Sequence, residues 1–134
     1  MATRIPENHA AFTVTELLAS TGGTLVPSVA GVASGASGAT SVSTNTREMP
    51  PGAAFVALRG PTHDGHAYLG AAAAAGAAVA LVERDVEAPA GMTVVRVPST
   101  LRALADLARA HVARWHAAGE RTLIGITGSA GKTT

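Results

Sequence analysis

The 134-residue sequence has no cysteine and only four aromatic residues, Phe12, Phe55, Tyr68 and Trp115. Without cysteine, neither a disulfide framework nor a thiolate metal site is available. With so few aromatics, any core must be built from aliphatic and small side chains, and alanine supplies much of the 47% hydrophobic fraction. Charge is sparse as well. The 14% of charged residues, ten basic and nine acidic, are scattered with no run of one sign and leave a net charge of +1. A surface for nucleic acid or anionic lipid is unsupported by that pattern. The first twenty residues contain Arg4, Glu7, Asn8 and Glu16 and no apolar run of signal-peptide length. The alanine-rich stretch from Ala67 to Val82 is interrupted by Gly70 and Gly76 and is shorter than the roughly 20 residues that cross a bilayer. The expectation is a soluble, cytoplasmic, monomeric protein that binds no nucleic acid and inserts into no membrane.

What is present is enough apolar surface for a packed core and about the length of one domain, so in any two-domain reading one domain is partial. Thr13-Val14-Thr15-Glu16 has capping-box spacing and opens a short helix that Gly22 and Gly23 stop. Residues Val29 to Thr40 carry glycines at 31, 35 and 38, not in G-x-G-x-x-G spacing, and read as a loop. Two short strands, Ser41 to Thr44 and Ala53 to Leu58, flank a Pro50-Pro51-Gly52 turn. A helix from Gly65 to Ala75, with Asp64 as its cap and Gly76 as its stop, precedes a buried strand over 77–82. Thr93 to Val97 is a further strand. After Pro98-Ser99 comes a helix with Leu101, Leu104, Ala105, Ala108, Val112 and Trp115 on one stripe. This βαβ-like alternation predicts the α/β class. Beyond the polar Gly119-Glu120-Arg121, Thr122 to Ile126 reads as one more strand, which puts a domain boundary near residues 118–121.

That last strand runs into Thr127-Gly128-Ser129-Ala130-Gly131-Lys132-Thr133-Thr134. A glycine-rich turn after a strand lets backbone N–H groups point at phosphate oxygens, since glycine tolerates the dihedrals and puts no side chain in the way. Lys132 then reaches the outer phosphates and the Thr133 hydroxyl ligates Mg²⁺. The general G-x-x-x-x-G-K-[ST] form would need glycine at 126, where Ile126 stands, so the motif is the shorter and more selective T-G-S-x-G-K-T-T. No carboxylate pair and no histidine cluster with metal-ligand spacing accompanies it.

This loop resembles the ATP loop of the Mur ligase family, the cytoplasmic enzymes that build the peptide stem of peptidoglycan. Three upstream segments resemble family motifs in the family's order: Thr44-Asn45-Thr46-Arg47, then Pro51-Gly52 through Phe55-Val56-Ala57-Leu58-Arg59-Gly60, then Asp64-Gly65-His66-Ala67-Tyr68-Leu69. Asn45, Ala53-Ala54 and Ala67-Tyr68 depart from the usual Asp, Asp-Leu and Asp-Phe. The resemblance implies a small α/β precursor-binding domain over residues 1–118, and over 119–134 the first strand and phosphate loop of an incomplete ATP-binding domain. It implies ATP and Mg²⁺ at Gly128, Ser129, Ala130, Gly131, Lys132, Thr133 and Thr134, with Lys132 catalytic and Thr133 on the metal. Thr46, Arg47 and His66 are the implied substrate residues; a solvated Arg47 and a structural His66 remain the alternatives.

Ser129 in the loop and Ala105-Asp106-Leu107-Ala108 in the long helix are similar to family members that join D-alanyl-D-alanine to UDP-N-acetylmuramoyl-tripeptide, forming ADP and phosphate. A 134-residue piece is expected to be inactive alone. The ligase adding the third stem residue, or a non-catalytic nucleotide-sugar-binding module, stays open.

Overall fold

The computed structural model of the chain describes residues 6–27 and 38–128. Within them a five-stranded sheet has the order β2-β7-β6-β5-β4, where β2 is Thr24–Leu25, β4 Val42–Ser43, β5 Ala54–Val56, β6 Val79–Val82 and β7 Thr93–Arg96. β4 to β7 are mutually parallel, and β2 closes one edge antiparallel to β7. A separate two-stranded ladder pairs β1 (Phe12–Thr13) with β3 (Gly38–Ala39). The α/β class is borne out.

A parallel sheet must be covered on both faces, which is why β5 and β6 are apolar without a break. Side chains alternate between two layers. Phe55, Ala80, Val82 and Val94 point into one cluster with Leu69 and Ala72 of α2 (Leu69–Ala74). Ala54, Val56, Val79, Leu81 and Val95 point into the other, with Leu17 of α1 (Val14–Thr21) and Ala103 and Leu107 of α3 (Thr100–Ala117). Alanine at positions 57, 72, 77 and 80, all buried, keeps the first layer thin.

Helix ends follow local chemistry. Both halves of the capping box form at α1: the Thr13 hydroxyl accepts from the Glu16 N–H, and the Glu16 carboxylate from the Thr13 N–H at 2.7 Å. Gly22 ends α1 in the left-handed region at φ 67°. Ser99 caps α3 through the Arg102 N–H at 3.2 Å.

Two expectations are corrected and one is refined. First, the inward face of α3 is Thr100, Ala103 and Leu107, whereas Leu101 is 67% exposed and Ala105 and Ala108 face solvent; of the anticipated stripe, Leu104 packs on the core. Capping by Ser99 and the anchoring of Thr100 set that phase. Second, the two strands expected around Pro50-Pro51-Gly52 are present, and they are parallel neighbours, so residues 44–53 carry the chain back along the sheet edge. Third, residues 120–128 contain no strand, and Leu123, Ile124 and Ile126 are 63%, 78% and 95% exposed. A strand needs a hydrogen-bonded neighbour, and none of the described strands pairs with this segment; at the β4 edge the Asn8 amide donates to the Val42 carbonyl at 2.8 Å and accepts from its N–H at 3.1 Å. Of the glycine-rich loop, residues 28–37 lie outside the described residues, while Gly38 and Ala39 are strand.

Candidate functional site

In open α/β sheets, ligands bind beyond the carboxyl ends of the parallel strands. At that end of β4 and β5 lies a cleft of about 470 Å³. The turn after β4 supplies Thr46 and Arg47, β5 and its extension supply Phe55 and Leu58, the following loop supplies Gly60 and His63, and Tyr68 closes the lining.

The β4 turn is shaped by its own polar side chains. Asn45 Oδ1 accepts from the Arg47 N–H at 3.0 Å, and Ser43 Oγ accepts from the Asn45 N–H at 3.2 Å. Asparagine suffices for this Asx-type turn, since one side-chain oxygen accepting one N–H is all the turn requires. Arg47 thereby projects from a fixed backbone. Among the described residues its guanidinium has neither an ion-pair nor a hydrogen-bond partner, a condition shared only by Arg102 on the exposed face of α3, whereas Arg59, Arg84, Arg96, Arg109 and Arg114 face carboxylates and Arg121 donates to the Trp115 carbonyl. Among the described residues no acidic one lines the cleft. An unneutralised guanidinium beside a hydroxyl, over an apolar floor of Phe55, Leu58 and Tyr68, suits a ligand with an anionic part and a flat apolar part.

His66 has a different place from the one expected. It is buried, does not line the cleft, and both ring nitrogens are engaged: Nδ1 lies 2.7 Å from Asp64 Oδ1, and Nε2 accepts from the Glu83 N–H at 2.8 Å. A ring with no free nitrogen cannot hydrogen-bond a ligand as it stands. Asp64 does cap the turn over Gly65–Tyr68, accepting from the His66 N–H at 3.0 Å. The Arg84 guanidinium, and then the bonds from His66, hold its carboxyl well below the usual carboxylate range. Thr46 and Arg47 are thus brought to the cleft, and His66 is set behind it.

Sequence reasoning assigned no role to Tyr68 or His63 at the cleft, or to Glu83 and Thr100 behind it. Tyr68 sits inside a motif and could have been found there; Glu83 and Thr100 carry no local signal. Of the phosphate loop, Gly128 is described, and Ser129, Ala130, Gly131, Lys132, Thr133 and Thr134 lie outside the described residues.

Comparison with known proteins agrees with this geometry. Residues 39–112, which include the whole cleft, match the Mur ligase family, catalytic domain. UDP-N-acetylmuramoyl-L-alanyl-D-glutamate–2,6-diaminopimelate ligase of Chlorobaculum tepidum is 44% identical over 96 residues, 71% of this chain and 18% of the relative. UDP-N-acetylmuramoyl-tripeptide–D-alanyl-D-alanine ligase of Mycobacterium tuberculosis is 42% identical over 107 residues, 67% of this chain and 21% of the relative. Crystalline MurF from Acinetobacter baumannii superposes with a TM-score of 0.65 at 26% identity, covering 84% of this chain and 23% of that one. The chain spans about a fifth of the length of the curated relatives it matches.

Proposed function

Because the chain belongs to the Mur ligase family, we propose that its cleft holds the uridine diphosphate portion of a UDP-linked peptidoglycan precursor. The observation that carries this is the Arg47 guanidinium, unpartnered among the described residues at the wall of a cleft without acidic lining. Thr46 and Arg47 would grip the diphosphate through charge-assisted hydrogen bonds. Phe55, Leu58 and Tyr68 would face the uridine. His66 supports the site from behind.

The same reading assigns residues 1–118 to precursor binding and residues 119–134 to the start of an ATP-binding domain. Gly128 to Thr134 would enclose the ATP phosphates, as their glycines, lysine and hydroxyls suit. Mg²⁺ held on the Thr133 hydroxyl would, with Lys132, neutralise charge on the γ-phosphoryl group. In the complete protein, a cytoplasmic monomer in this reading, that phosphoryl group passes to the terminal carboxylate of the UDP-linked peptide. The incoming amine then displaces phosphate, and ADP, phosphate and a new amide result.

We assign the amine to D-alanyl-D-alanine and the acceptor to UDP-N-acetylmuramoyl-tripeptide, on Ser129 of the loop and the likeness to MurF. A second reading, addition of the third stem residue, is supported by the 44% identity to the diaminopimelate-adding ligase. The full-length protein decides between them: ADP release should need D-alanyl-D-alanine with the tripeptide precursor, and release driven by diaminopimelate with the dipeptide precursor would select the second.

Arg47→Ala tests the cleft itself. Losing a charge-assisted contact costs about 1.5–3 kcal/mol, roughly ten- to hundredfold in affinity. Calorimetric titration of the chain with UDP-N-acetylmuramoyl-tripeptide should register that loss while circular dichroism stays unchanged. Equal binding by both proteins would make Arg47 a solvated charge.

A further inference from the structure

The loop over residues 58–65 forms part of the cleft wall, yet it has little packing of its own, with Arg59, Gly60, Pro61, Thr62 and His63 all exposed. Its shape rests on polar contacts. Gly60 donates to the His63 carbonyl and Gly65 to the Leu58 carbonyl, each at 2.7 Å, so that the backbones of Arg59 and Asp64 face each other in an isolated antiparallel β-bridge. Segments held mainly by exposed hydrogen bonds open easily unless something anchors them.

The anchor is His66, whose side chain is 1% exposed. Its Nε2 faces a backbone N–H, which can only donate, so Nε2 carries no proton and Nδ1–H donates to Asp64. One ring thus ties Asp64, at the end of the loop, to Glu83, just beyond β6. Glu83 extends the connection: its Oε1 accepts from the Thr100 N–H at 3.0 Å at the start of α3, and its Oε2 lies 3.9 Å from Arg59 Nε in the loop. The Thr100 hydroxyl in turn donates to the Ala57 carbonyl at 2.8 Å, at the end of β5. The last residue of the turn that His66 occupies is Tyr68, which lines the cleft.

We infer that His66 is a positioning residue for the precursor cleft: by joining Asp64 to Glu83 it fixes the 58–65 loop and Tyr68, and so sets affinity without touching the ligand. The inference rests on the reading of the cleft as the precursor site.

His66→Asn keeps a donor near Nδ1 for Asp64 and loses the acceptor for Glu83. His66→Gln places a carbonyl oxygen near Nε2 and restores that acceptor; it gives up the Nδ1–H bond, but the backbone N–H of residue 66 still donates to Asp64, so the link from Asp64 to Glu83 is kept. Two readouts apply to the 134-residue chain: affinity for UDP-N-acetylmuramoyl-tripeptide, and hydrogen exchange at the Gly60 and Gly65 amides. His66→Asn should bind at least tenfold more weakly and exchange at least tenfold faster at both glycines, and His66→Gln should lie within about threefold of the wild type in both. Leu107→Val, on the other face of the sheet, should lower the melting temperature and leave both readouts unchanged. Wild-type exchange at Gly60 and Gly65 in folded His66→Asn protein overturns the inference, as does an equal loss in Leu107→Val. If the wild type fails to bind the precursor, the reading of the cleft falls, and glycine exchange alone decides whether His66 fixes the loop. Should His66→Asn not fold, Asp64→Ala, at a side chain 36% exposed, takes its place with the same two readouts.

Discussion

Phe55→Ala should remove about 3–5 kcal/mol of stability, the range for truncating a buried phenylalanine. Phe55 is 1% exposed in the middle of β5, with Ser43 and Ala80 as its cross-strand neighbours. It is the one aromatic side chain in a layer otherwise built largely from alanine, valine and methionine. Small neighbours cannot swing in to fill the space it leaves, so the cavity term should be close to complete. A domain of this size has a total stability of about 5–15 kcal/mol, so the loss takes a large share of it. The cleft floor goes with it, because the same ring lines the site. Urea unfolding followed by circular dichroism measures the change as a lowered midpoint at constant slope. Leu101→Ala, at a leucine 67% exposed, should stay within about 0.5 kcal/mol of the wild type. A Phe55→Ala change below about 1 kcal/mol would mean that β5 is not packed as described.

Two glycines five positions apart should respond to alanine with opposite signs. A Cβ on Gly65 would lie 2.8 Å from the Leu58 nitrogen and 2.9 Å from both the Ala57 Cα and the Leu58 oxygen. These are backbone atoms of the β5 extension, which cannot rotate away as a flexible side chain could. Gly65→Ala should therefore cost about 3 kcal/mol, the upper part of the overpacking range, and stretch the bond from Gly65 to Leu58 that shapes the cleft loop. Affinity for the precursor should fall with it. At Gly70, inside α2, an added Cβ meets nothing within 4 Å. Gly70→Ala should stabilise the protein by about 0.5–1 kcal/mol, because alanine gives up less backbone freedom in a helix. Melting temperatures of the two variants should move in opposite directions; an unchanged or raised melting temperature for Gly65→Ala would contradict the close approach of Gly65 to β5.

These contrasts mark what a sequence discloses and what it withholds. The capping box at Thr13 and Glu16, the stop at Gly22 and the cap at Ser99 were legible because each is decided within a few residues of chain. Strands β5 and β6 were legible as continuous apolar runs, the pattern of strands covered on both faces, and β7 by Val94 and Val95 between Thr93 and Arg96. The phase of α3 was not. Apolar residues lie on more than one side of that helix, and the deciding contacts, Glu83 and Ala57 to Thr100, come from 17 and 43 residues away. The pairing of Asn8 with Val42, 34 residues apart, was equally hidden. At the cleft, Thr46 and Arg47 were found through motif order. His66 carries the same motif signal, and only the geometry of its two nitrogens sets it behind the cleft that Thr46 and Arg47 line.

Amide chemical-shift mapping of the isotope-labelled chain during titration with UDP-N-acetylmuramoyl-tripeptide tests the central claim most directly. If the cleft beyond β4 and β5 holds the uridine diphosphate, saturable shifts should concentrate at residues 44–47, 58–65 and Tyr68, and UDP alone should reproduce the greater part of them. Shifts centred instead on the apolar groove of about 240 Å³ that includes Ala10, Leu107 and His111, with residues 44–47 unmoved, would contradict it.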